Sequence, residues 1–318
     1  MDNTETSNLS IVVPVYNEAG NIEKLYTELE QQLPKTGLTW EIIYTDDGSS
    51  DQTWDLIQAL REKDLRVKAI RLSRNFGHQY ALFAGLSYAT GDAVISMDGD
   101  MQHPPDVIPQ MVEKWKQGNK IVHTVRKDSE DISLFKRHSS RLYYQVFSYL
   151  SGVKIEIGMA DFRLLDRQVL DHILQFREEG LFLRGIVQWV GFPSTKVTFQ
   201  SNNRFSGSRK YTLKQMIKLA WTGITSFSVV PLRIGIFIGI LTSLIAFTEM
   251  LYAIYAKLFT DTVVPGWASA VSILSFLFGI LFILLGLVGE YIGRILVETR
   301  ARPRFLVSDT LGLSPESE

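Results

Sequence analysis

The chain contains no cysteine, and its positive and negative charges almost cancel. The absence of cysteine excludes disulfide bonds, thiolate metal sites and a cysteine nucleophile. The formal net charge is −1, so the composition predicts no nucleic-acid partner. The first ten residues are polar and acidic and lack an apolar core, and we therefore expect no signal peptide there.

Charge is also missing from two long stretches near the C-terminus. Residues 234–256 contain Glu249 as their only charge, and residues 265–289 contain none. These stretches have 23 and 25 residues, and a helix needs about 20 apolar residues to cross the hydrocarbon core. Two buried core helices are the alternative, but such helices are rarely so long and so apolar on every side. We predict two membrane spans, at about 233–256 and 266–290, within a membrane segment 229–298.

Basic residues flank the outer ends of this predicted hairpin, whereas the loop between the spans carries one lysine and one aspartate. The positive-inside rule therefore places both chain ends and the N-terminal domain in the cytoplasm. We expect an integral protein of the plasma (inner) membrane with almost nothing outside. The flanking cations are Lys210, Lys214, Lys218, Arg233, Arg294, Arg300, Arg302 and Arg304.

The first part of the chain alternates short apolar runs with helical stretches. Strands are predicted at 9–15, 40–45, 67–73, 92–98 and 120–125. Helices are predicted at about 20–33, 53–63, 78–89 and 105–117. This alternation is typical of right-handed βαβ units. We expect an α/β domain over residues 1–210 with a Rossmann-like, mostly parallel sheet that binds ligands beyond the carboxyl ends of its strands.

Candidate binding residues end or follow three of the predicted strands, at what would be one edge of the sheet. They are Pro14, Tyr16, Asn17 and Glu18, then Asp46, Asp47, Gly48 and Ser49, then Asp98 and Asp100. Any one set has an alternative explanation, because such residues are also favoured in turns and at helix N-caps. All three sets at one edge favour a binding site.

Asp98 and Asp100 place two carboxylates on either side of Gly99. Such a pair repels unless a cation lies nearby, and a few hard oxygen ligands suit Mg²⁺ or Mn²⁺ that is shared with substrate phosphates. Gln102 adds an amide oxygen in the same turn. We predict a metal site of Asp98, Asp100 and Gln102, and we interpret His103 as a polar loop histidine in preference to a fourth ligand.

Five segments together resemble a known family: VVPVYNEAGNI, YTDDGSSDQT, MDGDMQHPP, GMADFRLLDR and RFSGSRKYTLKQM. They resemble the family 2 glycosyltransferases, most closely the polyprenyl-phosphate branch with its dolichyl-phosphate mannose synthases and bactoprenol glucosyltransferases. The resemblance covers nearly the whole chain, including the two spans. It implies a GT-A fold, a nucleotide-sugar donor, Mg²⁺ or Mn²⁺, and a lipid-phosphate acceptor such as undecaprenyl phosphate.

The resemblance also implies roles for individual residues. The nucleotide would be bound by Pro14, Tyr16, Asn17, Glu18, Asp46 or Asp47, and Asp98. Phosphates would be bound by Arg126, Arg204 and Lys210. Relatives often have Glu-Ser-Lys where this chain has Ser208-Arg209-Lys210, so the local acidic partner of Lys210 is missing.

Asp161 stands where many family members keep a catalytic aspartate. A phosphate monoester has a second pKa of about 6, so the acceptor is already a competent nucleophile at neutral pH. We therefore hypothesise that Asp161 orients a cation or the sugar and abstracts no proton.

Two amphipathic segments, 134–150 and 211–227, carry basic residues beside an apolar face. Such helices lie at the surface of anionic membranes, although packing on the domain's own core is the alternative. We expect an interfacial helix over 211–228, and we assign Arg137, Ser140 and Arg141 to the lipid phosphate. The remaining residues, 299–318, are expected as a cytoplasmic tail.

Three functions are consistent with these features. The first is inverting transfer of a hexose to a polyprenyl phosphate, with glucose from UDP-glucose favoured over GDP-mannose or an N-acetylated UDP-sugar. The second is a processive polysaccharide synthase, which would need more spans and a Gln-x-x-Arg-Trp motif that this chain lacks. The third is a non-catalytic membrane scaffold. Small residues within 279–293 would also allow close helix packing in a homo-oligomer.

Overall fold

The computed structural model describes residues 8–126, 159–176, 178, 182–200, 230–259 and 266–313. One mixed sheet of eight strands organises the N-terminal domain, in the order β7-β5-β6-β4-β1-β2-β3-β8. The strands are β1 Asn8–Val15, β2 Thr39–Asp46, β3 Val67–Leu72, β4 Ala93–Ser96, β5 Ile121–Arg126, β6 Met159–Asp166, β7 Ser194–Phe199 and β8 Val307–Leu311. The helices are α1 Ala19–Gln32, α2 Thr53–Lys63, α3 His78–Tyr88, α4 Ile108–Lys116, α5 Arg167–Leu174, α6 Leu183–Trp189, α7 Val230–Phe259 and α8 Trp267–Thr299.

The first five strands and the first four helices confirm the predicted α/β alternation. β1 pairs in parallel with β2 and β4, and β2 pairs in parallel with β3. β1 is buried along almost its whole length, as expected for a strand covered by helices on both faces. The carboxyl ends of these strands therefore meet at one edge of the sheet, as the predicted site requires.

Strand β6 was not predicted, and it runs against its two neighbours. It pairs antiparallel with β4 on one side and with β5 on the other. β4 and β5 consequently point the same way and end at the same edge. The register pairs Ser96 of β4 with Arg163 of β6, which brings Asp161 close to the end of β4. Charged residues interrupt β6, and this is why its sequence lacks the apolar run of a buried strand.

The C-terminal segment also differs from expectation. Residues 299–318 were predicted as a tail, but Val307–Leu311 form β8, which pairs antiparallel with β3 at the edge of the sheet. The backbone N–H of Ser73 donates to the carbonyl of Leu306 at 2.8 Å and extends this pairing. The segment after the second predicted span is thus part of the sheet of the N-terminal domain.

Helices α7 and α8 belong to a second compact unit. They contain two stretches, Leu232–Tyr252 and Phe276–Thr299, that are long and apolar enough to cross a membrane by length and composition. Both stretches overlap the predicted spans, and α8 continues to Thr299, beyond the predicted end near residue 290.

Candidate active site

The loops after β1 and β2 are joined by Asn17. Its backbone has φ of +54°, an orientation that asparagine tolerates better than most residues. The N–H of Asn17 donates to Ser49 Oγ at 2.9 Å, and its Oδ1 accepts from the N–H of Ser50 at 2.9 Å. The side chain of Asn17 therefore braces the two loops, and its predicted nucleotide contact stays a prediction.

The other predicted nucleotide-binding residues near the end of β1 differ in their accessibility to a ligand. Pro14 is buried within β1. Glu18 accepts from Asn21 Nδ2 at 2.5 Å, at the start of α1. The ring of Tyr16 is 38% exposed, so it is accessible for stacking against a base.

Asp46 and Asp47 are both buried at the end of β2 and support the local turns. Asp46 Oδ1 accepts from the N–H of Ser49 at 2.9 Å, and its Oδ2 lies 3.4 Å from Arg71 Nε. Asp47 accepts from the N–H groups of Phe76 and Gly77 at 2.7 and 2.9 Å. Burial raises the pKa of Asp47 above its usual value, against the opposing effect of these two donors.

The turn after β4 presents the predicted metal ligands. Asp98, Asp100 and Gln102 are all partly exposed. The N–H of Gln102 donates to Asp100 Oδ1 at 3.1 Å, and Met101 between them has φ of +63°. Gly99 is required by packing, because a Cβ at this position would lie 2.7 Å from Val15 Cγ1.

His103 lies in the loop after β4, as expected, but its ring is buried and supports this turn. The ring stacks on Phe162 with centroids 5.2 Å apart, and meets the edge of Phe199 at 5.8 Å. Its Nδ1 accepts from the N–H of Asp98 at 3.0 Å. Because Nδ1 is an acceptor here, its 3.7 Å approach to the carboxylate of Asp98 is not a hydrogen bond.

Asp161 lies between two arginines. Arg184 contacts both of its oxygens, with Nε–Oδ1 at 3.0 Å and Nη2–Oδ2 at 2.8 Å, and Arg163 donates to Oδ1 as well. Asp161 and Arg163 are buried. Burial alone would raise the pKa of Asp161, but the two guanidinium groups outweigh it and hold the pKa well below its usual range. The carboxylate therefore stays ionised throughout the neutral range.

His78, the first residue of α3, lies between the two acidic centres. Its Nε2 is 3.3 Å from Asp98 Oδ1 and 4.0 Å from Asp161 Oδ2, and its side chain is 44% exposed. The site thus combines a partly exposed acidic turn, a histidine and a buried carboxylate that is paired with arginines.

The chemistry of the acidic turn fits a divalent cation. Asp98, Asp100 and Gln102 offer hard oxygen donors within five residues, and the side chain of Asp98 is 32% exposed, against 5% for Asp161. Within the described ranges no three His, Asp or Glu side chains cluster as a metal site. A cation at this turn would therefore need Gln102, water or ligand oxygens to complete its shell.

The remaining predicted residues are only partly placed. Arg126 ends β5 and is exposed at the same edge of the sheet. Arg137, Ser140, Arg141, Arg204 and Lys210 lie outside the described residues, as do both amphipathic segments.

Sequence reasoning assigned no role in the site to Arg163 or His78. Arg163 had a signal, because residues two apart in a strand share a face and Arg163 follows Asp161 by two. His78 had none beyond its place at a predicted helix start, since its neighbours come from other strands.

Comparisons with known proteins identify the family of the chain. Residues 10–174 match the model of glycosyl transferase family 2. The chain is 41% identical to an uncharacterized glycosyltransferase, YkcC, of Bacillus subtilis (strain 168), over 96% of this chain and 94% of that protein. It is 38% identical to the prophage bactoprenol glucosyl transferase homolog of Escherichia coli (strain K12), over 94% of this chain and 98% of that protein. The bactoprenol glucosyl transferase of Shigella phage SfX shares the same 38% identity, again over 94% and 98% of the two chains.

Proposed function

The chain belongs to glycosyl transferase family 2, and we propose that it transfers a hexose from a nucleotide sugar to a polyprenyl phosphate at the cytoplasmic face of a membrane. Its mixed, mostly parallel sheet is the GT-A fold of that family. The relatives named as bactoprenol glucosyl transferases match nearly the full chain, including the apolar helices, and they support a lipid acceptor.

The observation that carries the proposal is the pairing of Asp161 with Arg163 and Arg184. A general base works best when its pKa lies near the working pH. The arginines keep the pKa of Asp161 far below that range, so the carboxylate is poorly suited to take a proton from a sugar hydroxyl. A phosphate acceptor needs no such base, because it is largely dianionic at neutral pH.

The two positive charges beside Asp161 also suit a reaction between two anionic substrates. The leaving nucleoside diphosphate gains negative charge as the glycosidic bond breaks, and fixed positive groups stabilise that charge as it develops. Asp98, Asp100 and Gln102 would hold Mg²⁺ or Mn²⁺, which when bound would offset the charge of the diphosphate. We assign Arg126, Arg204 and Lys210 to the substrate phosphates, and Tyr16 to stacking on the nucleotide base.

His78 supports a second candidate acceptor. A histidine 3.3 Å from a carboxylate is a familiar arrangement for proton abstraction, and a hydroxyl acceptor would use it. In that case the product would be an ordinary glycoside, and the lipid alcohol would replace the lipid phosphate as acceptor.

The sheet supports the predicted topology. β7 precedes the two apolar helices and β8 follows them, yet both strands belong to one sheet. The chain must therefore cross the membrane an even number of times between them, which two spans satisfy. The cationic flanks Arg233, Arg300 and Arg302 favour the cytoplasm as the side on which the domain lies.

We propose UDP-glucose as the donor, on the strength of the glucosyl transferase names of the relatives. GDP-mannose and N-acetylated UDP-sugars are the alternatives. We also propose that the chain forms a homo-oligomer, in which small residues within 279–293 allow close helix packing.

The test is a transfer assay with the purified full chain in lipid nanodiscs. Radiolabelled UDP-glucose, GDP-mannose and UDP-N-acetylglucosamine are offered in turn, with undecaprenyl phosphate or undecaprenol as acceptor, with and without Mn²⁺. We expect label in the lipid phase with undecaprenyl phosphate, UDP-glucose and Mn²⁺. Transfer to undecaprenol, water-soluble polymer, or no product with any donor would each refute the proposal.

A further inference from the structure

One residue that was not assigned to the site has a large aromatic side chain exposed to solvent. Trp189, the last residue of α6, is 66% exposed. Its ring and that of Phe176 meet in a T-shaped arrangement, with centroids 5.5 Å apart. Tryptophan is enriched at protein interfaces and at membrane interfaces, where its ring meets an apolar phase on one side and water on the other.

Arg304 connects this aromatic pair to the chain that follows the second apolar helix. Its guanidinium donates to the carbonyl of Phe176 and lies over the ring of Phe83, 4.6 Å from the centroid. Arg304 is the fifth residue after Thr299, where α8 ends. Five residues of fully extended chain reach at most about 18 Å.

The residues on this short connection have the character of a membrane surface. Arg300 and Arg302 are exposed. Arginine near the end of a span is attracted to anionic lipid headgroups, and tryptophan prefers the boundary between headgroups and acyl chains. Trp189 is therefore linked, through Phe176 and Arg304, to the chain segment that leaves the second apolar helix.

We propose that Trp189 enters the lipid interface and serves as a membrane contact of the catalytic domain, separate from the two spans. This inference rests on the membrane location given under the proposed function. The occupant of the exposed face is lipid; a second copy of the chain or another protein are outcomes that the test distinguishes.

The absence of cysteine makes a site-directed probe straightforward. We suggest Trp189→Cys with a nitroxide label in the full chain, reconstituted in nanodiscs of phosphatidylethanolamine and phosphatidylglycerol. Leu65→Cys is the matched control, because Leu65 is 73% exposed. Leu65 lies just before β3, whereas the chain that follows α8 first meets this part of the sheet at the opposite end of β3, where Ser73 donates to Leu306. The measurement is the relaxation of each label by oxygen, which partitions into lipid, and by a water-soluble nickel chelate.

We expect the label at position 189 to be relaxed more by oxygen and the label at position 65 more by nickel. Equal nickel access at both positions would overturn the proposal. Low access to both agents at position 189, with spin–spin broadening, would indicate a contact with a second copy of the chain. Low access to both agents without broadening would indicate a contact with another protein. Either result would overturn the proposed lipid contact.

A second measurement keeps the proposal testable if Trp189→Cys fails to fold. Brominated lipids should quench the tryptophan fluorescence of the wild-type chain more strongly than that of Trp189→Phe, and equal quenching would again overturn the contact. Neither measurement requires sugar transfer. A chain that fails the transfer assay can still show the lipid contact, and an active chain can lack it.

Discussion

Arg184 binds both carboxylate oxygens of Asp161, through Nε–Oδ1 at 3.0 Å and Nη2–Oδ2 at 2.8 Å. A second guanidinium, that of Arg163, reaches the same carboxylate from within the strand. One negative charge is thus shared by two positive charges, and the surplus is positive. Such a centre can attract phosphate while its own carboxylate remains unprotonated.

Replacement of Asp161 tests this arrangement by the pH dependence of turnover. We expect Asp161→Asn to lower kcat by a factor that stays constant from pH 6 to pH 9, because the pKa of the native carboxyl lies well below this window. A general base would behave differently: its loss would cost about 10²–10⁴ in rate and would be relieved at high pH. A pH–rate profile of both proteins distinguishes the two roles, and recovery at high pH contradicts ours.

The same substitution should change stability with a defined pH dependence. The folded-state pKa of Asp161 lies below its unfolded value of about 3.9, so its contribution is present above that pH and is lost as pH falls below it. At pH 7 we expect Asp161→Asn to destabilise the fold by about 3–5 kcal/mol, since it leaves buried Arg163 without its partner. Thermal unfolding of the wild type and Asp161→Asn at pH 7 and pH 3.5 checks this. If the stability difference between the two proteins is no smaller at pH 3.5 than at pH 7, the result is inconsistent with a depressed pKa of Asp161.

Arg184 should not tolerate lysine. A lysine is a single charged point and cannot bind both oxygens of Asp161 as the planar guanidinium does. We expect Arg184→Lys to raise the KM for lipid phosphate and, because the Arg184 side chain is 42% exposed, to destabilise the fold by at most about 1 kcal/mol. Arg66→Lys is the matched control, because Arg66 forms a similar fork with Asp64 and is 49% exposed but lies outside the predicted site; it should have a similar effect on stability and leave the KM unchanged. An equal rise in KM in the two variants would contradict a role of Arg184 in binding the lipid phosphate.

Gly99 should be intolerant of even one methyl group. Its added Cβ would lie 2.7 Å from Val15 Cγ1, and we expect Gly99→Ala to cost about 1–3 kcal/mol through overpacking and to weaken Mn²⁺ binding at the turn. Gly20 in α1 has no atom within 4 Å of its added Cβ, so Gly20→Ala should be neutral or stabilising by up to about 1 kcal/mol. Melting temperatures and Mn²⁺ titrations of Gly99→Ala and Gly20→Ala measure these effects on stability and on metal binding. Should Gly99→Ala bind Mn²⁺ like the wild type, the turn is not held by this packing.

The metal assignment predicts a selective loss of cation affinity. We expect Asp100→Asn to weaken Mn²⁺ binding in the presence of UDP by about tenfold or more. Asp106→Asn removes an exposed carboxylate six residues further along and should leave the affinity unchanged. Free Mn²⁺ measured by electron paramagnetic resonance gives the affinity without any need for turnover. Similar affinities for the wild type and Asp100→Asn would exclude the turn as the metal site.

Removal of β8 should destabilise the sheet although it leaves the predicted site residues in place. A chain that ends at residue 306 exposes the edge of β3, whose residues Ala69 to Leu72 then lack partners on the side away from β2. We expect a lower melting temperature and a tendency to aggregate. A chain that ends at residue 313 keeps β8 and serves as the control. If the chain that ends at residue 306 has the same melting temperature as the control and the wild type, β8 contributes nothing to stability.

The order of the first five strands and the position of the acidic turn could be predicted because local patterns encode them. Parallel strands buried on both faces appear as apolar runs, and the loops after them carry Asp, Asn and Gly. β6 could not be predicted in this way. Its central residues Asp161 and Arg163 are charged yet buried, and their burial makes sense only once Arg184, from a later helix, is placed beside them.

The individual roles in the site were harder to predict than its location. Asp46, Asp47 and Asn17 all occupy expected positions, but their oxygens accept backbone N–H groups from neighbouring loops. His103, interpreted as a loop residue, is packed between two phenylalanine rings. A sequence motif shows which residue types meet, whereas long-range hydrogen bonds decide which of them face a ligand.

The place of β8 in the chain has a consequence for biosynthesis. Its residues emerge from the ribosome only after both apolar helices, roughly 100 residues after β7, or about 5–20 s at ordinary elongation rates. During that interval β3 is an edge strand that lacks β8. If the two apolar helices cross the membrane as proposed, β8 can pair with β3 only after the nascent hairpin has returned the chain to the side on which the domain lies. Under that topology, completion of the sheet depends on the insertion of both helices.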